Sequence, residues 1–328
     1  MRVLIFGATG FAGRYLAREL VQLGHEVWGA VRSAESDRAP SHPVPLTVAQ
    51  LLRCDVTDGA QVEDVLGAAR ADAVVLLAGL ASPPEANRRP EEAFRVHVTG
   101  TVNVLGALTR SSHATRVLIV TSSEAYGSTG RDTSPLDEEA ALRPTSIYAA
   151  SKAAADLAAE SFALARGVDV VRVRPFNHTG PGQRRDFVCP DFAGQVAAIA
   201  AGRRPAVMEV GNLDVQRDFS DVRDIVRGYV AALLRGKLGE AYNLCSGRAT
   251  SIRDILATLC ALAGVEPEVR QDGARHRAAE IPAYWGNAAK ARRELGWQPE
   301  IPWRRTLEDL LLWCRENEAN GAARVEQA

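Results

Sequence analysis

Tyr148-Ala-Ala-Ser-Lys152 sets a phenol and an ammonium four residues apart. On a helix that spacing is about one turn, so both side chains face the same way. A free tyrosine, with a pKa of roughly 10, is a poor acid–base group at neutral pH, but an ammonium beside it favours the phenolate and lowers that value. The pair could then exchange a proton with a sugar or alcohol oxygen. The same spacing also arises on any solvated helix face, so the surrounding chain has to distinguish the two. A third group, Ser122, lies in Thr121-Ser-Ser-Glu124-Ala-Tyr126-Gly127, just after an expected strand over 116–120. Side chains at the carboxyl end of such a strand overlook the ligand crevice of a parallel α/β sheet. Serine there is also an ordinary turn former or helix cap.

The elements that must bring these residues together can be read from apolar periodicity. A buried-type strand over 3–6 ends in Gly7-Ala-Thr-Gly10-Phe11-Ala-Gly13, and Tyr15, Leu16, Leu20 and Leu23 follow at helical spacing. Strand, glycine turn and helix in that order let a helix N-terminus face a pyrophosphate. The next strand, over 25–31, closes on Arg32. A cation at that point accommodates the 2′-phosphate of NADP, whereas an acid would favour NAD. Arg32 thus favours NADP, with NAD as the alternative and a solvated charge as the plain reading. A short third strand near 51–57 carries Asp55, a partner for the adenine amino group or a helix N-cap in competition with Asp58. The fourth, over 73–77, ends in Ala78-Gly-Leu-Ala-Ser82, small residues that admit a flat cofactor. One helix is expected over 90–110, another from Tyr148, and a sixth strand over 169–173. Arg174-Pro-Phe-Asn177-His178-Thr-Gly-Pro-Gly-Gln183 then reads as entry into a second lobe. Helices over 187–201, 224–234, 252–263 and 306–318, a strand over 241–245, an irregular charged segment at 275–280, a mixed stretch at 281–295 and a frayed tail at 320–328 complete the pattern.

Composition narrows the class of partner. The 328 residues are 46% hydrophobic and 24% charged with a net charge of −1, so the basic excess of a nucleic-acid binder is missing. No apolar run is long enough for a bilayer, and no like-charge run suggests a membrane surface. A small molecule is the expected partner. Five scattered cysteines without a Cys-x-x-Cys pair indicate neither a disulfide framework nor a zinc site, and no metal is expected. With no signal-peptide pattern at the N-terminus, a cytoplasmic location is the default.

Three motifs, G7ATGFAG13, T121SSEAYG127 and Y148AASK152, make the chain resemble the extended short-chain dehydrogenase/reductases over nearly its whole length. R174PFNHTGPGQ183 with Phe187-Val188, V210GNLDVQRDFSDVRD224, A241YNLCSG247 and L295GW297 narrow this. They resemble GDP-4-keto-6-deoxy-D-mannose reductases and, more distantly, GDP-mannose 4,6-dehydratases. The resemblance implies an α/β fold: a doubly wound parallel Rossmann sheet with a smaller C-terminal substrate lobe. The cofactor domain is expected over 1–175 and 218–245, and the nucleotide-sugar lobe over 176–217 and 246–319.

The resemblance also implies roles. Ser122 would hydrogen-bond the sugar oxygen, Tyr148 would be the acid/base, and Lys152 would hold the nicotinamide ribose and tune Tyr148. Gly7, Gly10, Phe11, Gly13, Arg32, Asp55, Val56 and Ala78 would line the cofactor. Ser82, Asn177, Val188 and Arg217 would meet the substrate, with Arg217 and Asn177 on its diphosphate side. Arg277 and Glu280 match an element that contacts the nucleoside; on their own they read as a surface ion pair. Two departures stand out: His97 replaces a usual asparagine, and Arg277-Ala-Ala-Glu280 lacks the usual proline. Glu124 permits dehydration without requiring it. The implied activity is NADPH-dependent C4-ketone reduction of a GDP-4-keto-6-deoxyhexose. The rivals are a GDP-mannose 4,6-dehydratase or epimerase that retains its cofactor, and a non-catalytic NADP-binding module. A homodimer is expected through the helices over 90–110 and 148–166.

Overall fold

The computed structural model describes residues 1–32, 42–132, 135–272 and 281–325. The first half alternates strand and helix: β1 (Arg2–Phe6), α1 (Phe11–Gln22), β2 (Glu26–Val31), β3 (Gln50–Arg53), α2 (Gly59–Ala69) and β4 (Ala73–Leu76). Two short helices, α3 (Pro83–Arg88) and α4 (Pro90–Phe94), lead to α5 (Gly100–Arg110) and β5 (Arg116–Val120). A 3₁₀ turn (Ser123–Tyr126), α6 (Thr129–Asp132), the 20-residue α7 (Ile147–Arg166) and β6 (Val170–Pro175) follow. After β6 come β7 (Asn177–Thr179), α8 (Val188–Ala200), β8 (Val207–Val210), β9 (Gln216–Arg217), β10 (Phe219–Asp221) and α9 (Val222–Arg235). The chain ends with β11 (Ala241–Leu244), β12 (Thr250–Ser251), α10 (Ile252–Ala263), β13 (Glu268–Gln271), β14 (Ala283–Tyr284), α11 (Ala289–Leu295) and α12 (Trp303–Val325), which runs past Glu318.

Seven parallel strands form the main sheet in the order β11-β6-β5-β4-β1-β2-β3. Strand order reverses between β1 and β4, and that switch point opens the crevice at the carboxyl ends. Helices cover both faces, which is why Val3–Phe6 and Ala73–Leu76 read as unbroken apolar runs. One core holds Leu16 and Leu20 of α1 with Ile225 and Tyr229 of α9; the opposite core holds Val62, Leu105 and Ala159 from α2, α5 and α7. A third core joins α8, α10 and α12 through Phe192, Leu259, Leu307 and Leu311. Three small sheets accompany it: β12-β9-β14, β13-β8 and β10-β7.

Several motifs serve to join these parts. The Asp218 carboxylate accepts from Ser246 N and Oγ, Gly247 N and Gly286 N, at 2.6–3.3 Å, tying the segment before β10 to the end of β11. Trp297 donates Nε1 to the Asp224 carbonyl at 2.9 Å. Gly228 lets that indole and Leu244 close on α9, since a Cβ there would stand 2.8 Å from Leu244 Cδ1 and 3.1 Å from the Trp297 ring.

The helix expected over 90–110 is interrupted. Arg95–Thr99 forms a π turn between α4 and α5. Thr101 Oγ1 donates to the His97 carbonyl at 2.6 Å, and Gly100 meets Val56, whose Cγ2 would lie 2.9 Å from a Cβ. Such insertions are rare and aim a side chain that a regular helix would point elsewhere.

Candidate active site

Tyr148 and Lys152 lie on the first turns of α7, whose N-terminus Ser146 caps by accepting from Ala149 N at 3.1 Å. Asp156, one turn further, is fully buried and fixes α7 to the sheet. It accepts from Thr121 Oγ1 (2.8 Å), Arg172 Nη1 (2.6 Å) and Arg174 Nη2 (2.7 Å). Burial opposes its charge, but the Arg174 and Arg172 guanidiniums and the Thr121 hydroxyl prevail and hold the carboxyl below its usual range. Because Thr121 follows β5 and the two arginines lie on β6, this network sets the catalytic helix against both strand ends.

The Ser122 hydroxyl is near enough to the Tyr148 phenol to draw its pKa downward. Ser122 Oγ also accepts from the Glu124 amide at 3.2 Å. The expectation that Lys152 lowers the Tyr148 pKa is reversed here. Packing around the half-buried ring pushes the phenol up to about 12, with the Ser122 hydroxyl acting downward and the Glu124 charge upward. Lys152 is 9% exposed, its Nζ donates to the Val120 carbonyl at 3.2 Å, and burial lowers it to about 8. The phenol is thus protonated at neutral pH, suited to giving a proton rather than taking one.

His97 faces the same helix. Its Nδ1 is 2.8 Å from Ser151 Oγ, which itself donates to the Tyr148 carbonyl at 2.9 Å, and its ring meets Tyr148 edge-on at 5.8 Å. Burial, with Lys152 adding to it, drives its pKa down to about 2, so the imidazole is neutral.

The glycine turn has the form a pyrophosphate needs. Gly7 adopts φ +89° with its amide on the Ala30 carbonyl, and a Cβ there would lie 2.9 Å from Ala78 N. Gly10 occupies the N-cap of α1, and a Cβ on Gly13 would come within 2.3 Å of the Gly7 carbonyl oxygen. Phe11 opens α1 and stacks on His178 at 6.3 Å. Arg32 is two-thirds exposed and pairs with Glu92 at 3.2 Å. Asp58 caps α2, leaving Asp55 to form a turn by accepting from Thr57 N at 2.9 Å and Oγ1 at 2.8 Å. Val56 is buried under α5, with its carbonyl accepting from Asn103 Nδ2 at 2.9 Å.

Of the expected substrate contacts, Ser82 is 1% exposed and caps α3 by accepting from Glu85 N at 3.4 Å. Asn177 donates Nδ2 to the Asp218 carbonyl at 3.2 Å, Val188 begins α8, and Arg217 Nη1 donates to the Ile281 carbonyl at 2.8 Å. Arg277 and Glu280 lie outside the described residues. Two tyrosines that sequence reasoning passed over belong to the neighbourhood. Tyr126 donates to Asn243 Oδ1 at 2.8 Å, and the Tyr284 hydroxyl donates to the Ser123 carbonyl. Tyr126 stands inside a quoted motif; nothing near Tyr284 in sequence marks it.

A seven-strand parallel sheet reversing between β1 and β4, with a glycine turn and a serine–tyrosine–lysine group at its carboxyl edge, defines the doubly wound class typical of short-chain dehydrogenase/reductases. Within that class the chain belongs to the GDP-mannose 4,6 dehydratase family, whose model matches residues 4–310. It is 34% identical to the GDP-6-deoxy-D-mannose reductase of Pseudomonas aeruginosa, over 94% of this chain and 96% of that one. It is 30% identical to the GDP-6-deoxy-D-talose 4-dehydrogenase of Aggregatibacter actinomycetemcomitans, over 90% and 92%. The solved structure of RMD from Pseudomonas aeruginosa complexed with NADPH superposes with a TM-score of 0.83 at 33% identity, covering 96% of this chain and 99% of that one. Among the described residues no helix is long and apolar enough to cross a membrane.

Proposed function

We propose that this protein reduces the C4 ketone of a GDP-4-keto-6-deoxyhexose at the expense of NADPH. The observation that carries the reading is the convergence of Ser122, just after β5, with Tyr148 and Lys152 on the first turns of α7 at the carboxyl edge of the sheet. A reduction needs an acid at the oxygen that becomes an alkoxide, and a phenol raised to about 12 holds its proton for that step. Bound NADPH would supply the hydride. Tyr148 gives its proton to the sugar oxygen, the Ser122 hydroxyl hydrogen-bonds it, and the Lys152 ammonium, held on the Val120 carbonyl, binds the nicotinamide ribose. The relative named as a GDP-6-deoxy-D-mannose reductase and the RMD complex with NADPH support this choice of nucleotide and cofactor.

Roles follow by position. Gly7, Gly10, Phe11, Gly13, Val56, Ala78 and Asp55 cradle the dinucleotide, and Arg32 takes the 2′-phosphate by exchanging Glu92 for it. Arg217 and Asn177 hold the diphosphate, Val188 and Ser82 border the sugar nucleotide, and Arg277 with Glu280 meets the nucleoside. Residues 1–175 and 218–245 form the cofactor unit, and 176–217 with 246–319 the sugar-nucleotide lobe. The reading fits a cytoplasmic homodimer joined through α5 and α7.

Glu124 supports a second reading, a 4,6-dehydratase, because its charge acts directly on Tyr148 and elimination of water needs a base. That route begins by removing a proton from the 4-hydroxyl, which requires Tyr148 to enter as the phenolate. Incubation with GDP-4-keto-6-deoxymannose and NADPH separates the two. One equivalent of NADPH oxidised per sugar reduced supports the reductase. Conversion of GDP-mannose to a 4-keto sugar without net cofactor use replaces it with the dehydratase. A Tyr148→Phe variant that binds NADPH yet turns over at the wild-type rate removes Tyr148 as the acid.

A further inference from the structure

Tyr284 comes from a part of the chain far from the catalytic motifs, yet it ends inside them. It lies on β14 in the β12-β9-β14 sheet, in register with Arg217, and its carbonyl accepts from the Asp218 amide at 3.0 Å. Its side chain is 4% exposed. The ring packs on Phe176 with centroids 5.7 Å apart and occupies the space left by the missing Cβ of Gly130. From there the hydroxyl donates to the Ser123 carbonyl.

That carbonyl belongs to the peptide whose N–H is on Glu124, and the Glu124 N–H donates to Ser122 Oγ. A trans peptide is planar and directs its C=O and N–H to opposite sides. Holding the carbonyl therefore aims the N–H. We propose that Tyr284 is a positioning residue for the reaction: through the Ser123–Glu124 peptide it orients Ser122 Oγ, and through β9 it joins that hydroxyl to Arg217. With one acceptor site of Ser122 filled by the Glu124 amide, its remaining hydrogen-bonding capacity is directed to Tyr148 and the sugar oxygen. Burial and the Glu124 charge raise the Tyr284 pKa, against the opposing Arg217 charge, so the phenol stays a neutral donor. The assignment rests on the reductase reading for its substrate, but not for its geometry.

Tyr284→Phe keeps the ring and removes the hydroxyl. The expected result is a kcat about tenfold lower, with the KM for the sugar nucleotide and the Kd for NADPH within about twofold of wild type. In a double-mutant cycle with Ser122→Ala, the serine substitution should cost less in the Tyr284→Phe background than alone, because Ser122 is already misaimed. Loss through general destabilisation would lower the melting temperature and active fraction but leave the two substitutions additive. A wild-type kcat, or additivity, overturns the proposal. Amide exchange at Glu124, measured without substrate or cofactor, supplies a readout independent of turnover: it should be at least about tenfold faster in Tyr284→Phe. Unchanged exchange overturns the positioning role, whereas a wild-type protein inert toward the GDP-ketosugar overturns only the reductase reading.

Discussion

Lys152 carries the clearest conflict at the residue scale. Its ammonium is needed beside the phenol, yet burial with one carbonyl partner brings its pKa from 10.5 to about 8. The unfolded chain therefore holds this proton more tightly than the folded one. The cost of burying the charge is fully present below about pH 8 and is relieved as pH rises towards 10.5, so this group makes stability rise over that interval. The shift corresponds to about 3 kcal/mol, an upper value for what Lys152→Met would recover. We expect that variant to melt above wild type at pH 7, with the gap closing by pH 10, and to lose turnover. A melting temperature at or below wild type at pH 7 would contradict the account. In the wild type, the same titration should make kcat/KM for the ketone fall as pH passes about 8. Such a residue, kept for chemistry at the expense of stability, is what an active site is expected to contain.

Among the elements, the β1–α1 turn has little room for change. Gly13→Ala would press a methyl group into the Gly7 and Ala8 carbonyls, at 2.3 and 2.8 Å, where only backbone movement can relieve it. Overpacking of this kind costs about 1–3 kcal/mol. Because the displaced atoms shape the pyrophosphate cradle, we expect NADPH affinity to fall by about tenfold or more in titrations; unchanged affinity would remove the turn from the cofactor site. The π turn at Arg95–Thr99 is the second special element. It sets the neutral His97 ring against Ser151, so the replacement of asparagine leaves a hydrogen-bonded anchor for α7 in place. This turn was not legible in sequence, since the apolar spacing over 90–110 fits a continuous helix as well. The glycine turn, β5 and α7 were legible, because each is encoded by neighbours in sequence.

At the scale of the whole molecule, α7 exposes Leu157 (51%) and Leu164 (80%) two turns apart, and α5, which packs on α7, exposes Val102 (39%). Exposed apolar residues on paired helices suit a second copy of the chain. Leu157→Glu/Leu164→Glu should convert the proposed homodimer to a monomer in light scattering, with the fold retained by circular dichroism. A wild-type protein that is already monomeric would refute the interface. The long motifs that resemble the sugar-nucleotide enzymes serve largely at this scale. Asp218 fastens the end of β11, and Trp297 and Gly228 close α9 on the sheet.

Local pattern alone determined the seven strands of the main sheet, the cofactor turn, and the placing of Ser122, Tyr148 and Lys152 at strand and helix ends, because apolar runs and the 3.6-residue period are written in neighbouring residues. Tertiary structure decided what those residues are electrostatically. The direction of the Tyr148 pKa follows from desolvation by atoms distant in sequence, and Lys152 turned to Val120 instead of lowering it. Distance in the chain also hid the pairing of β8 with the exposed β13, and the reach of Tyr284 across 161 positions to Ser123. Burial and long-range hydrogen bonds exist only once the chain has closed on itself.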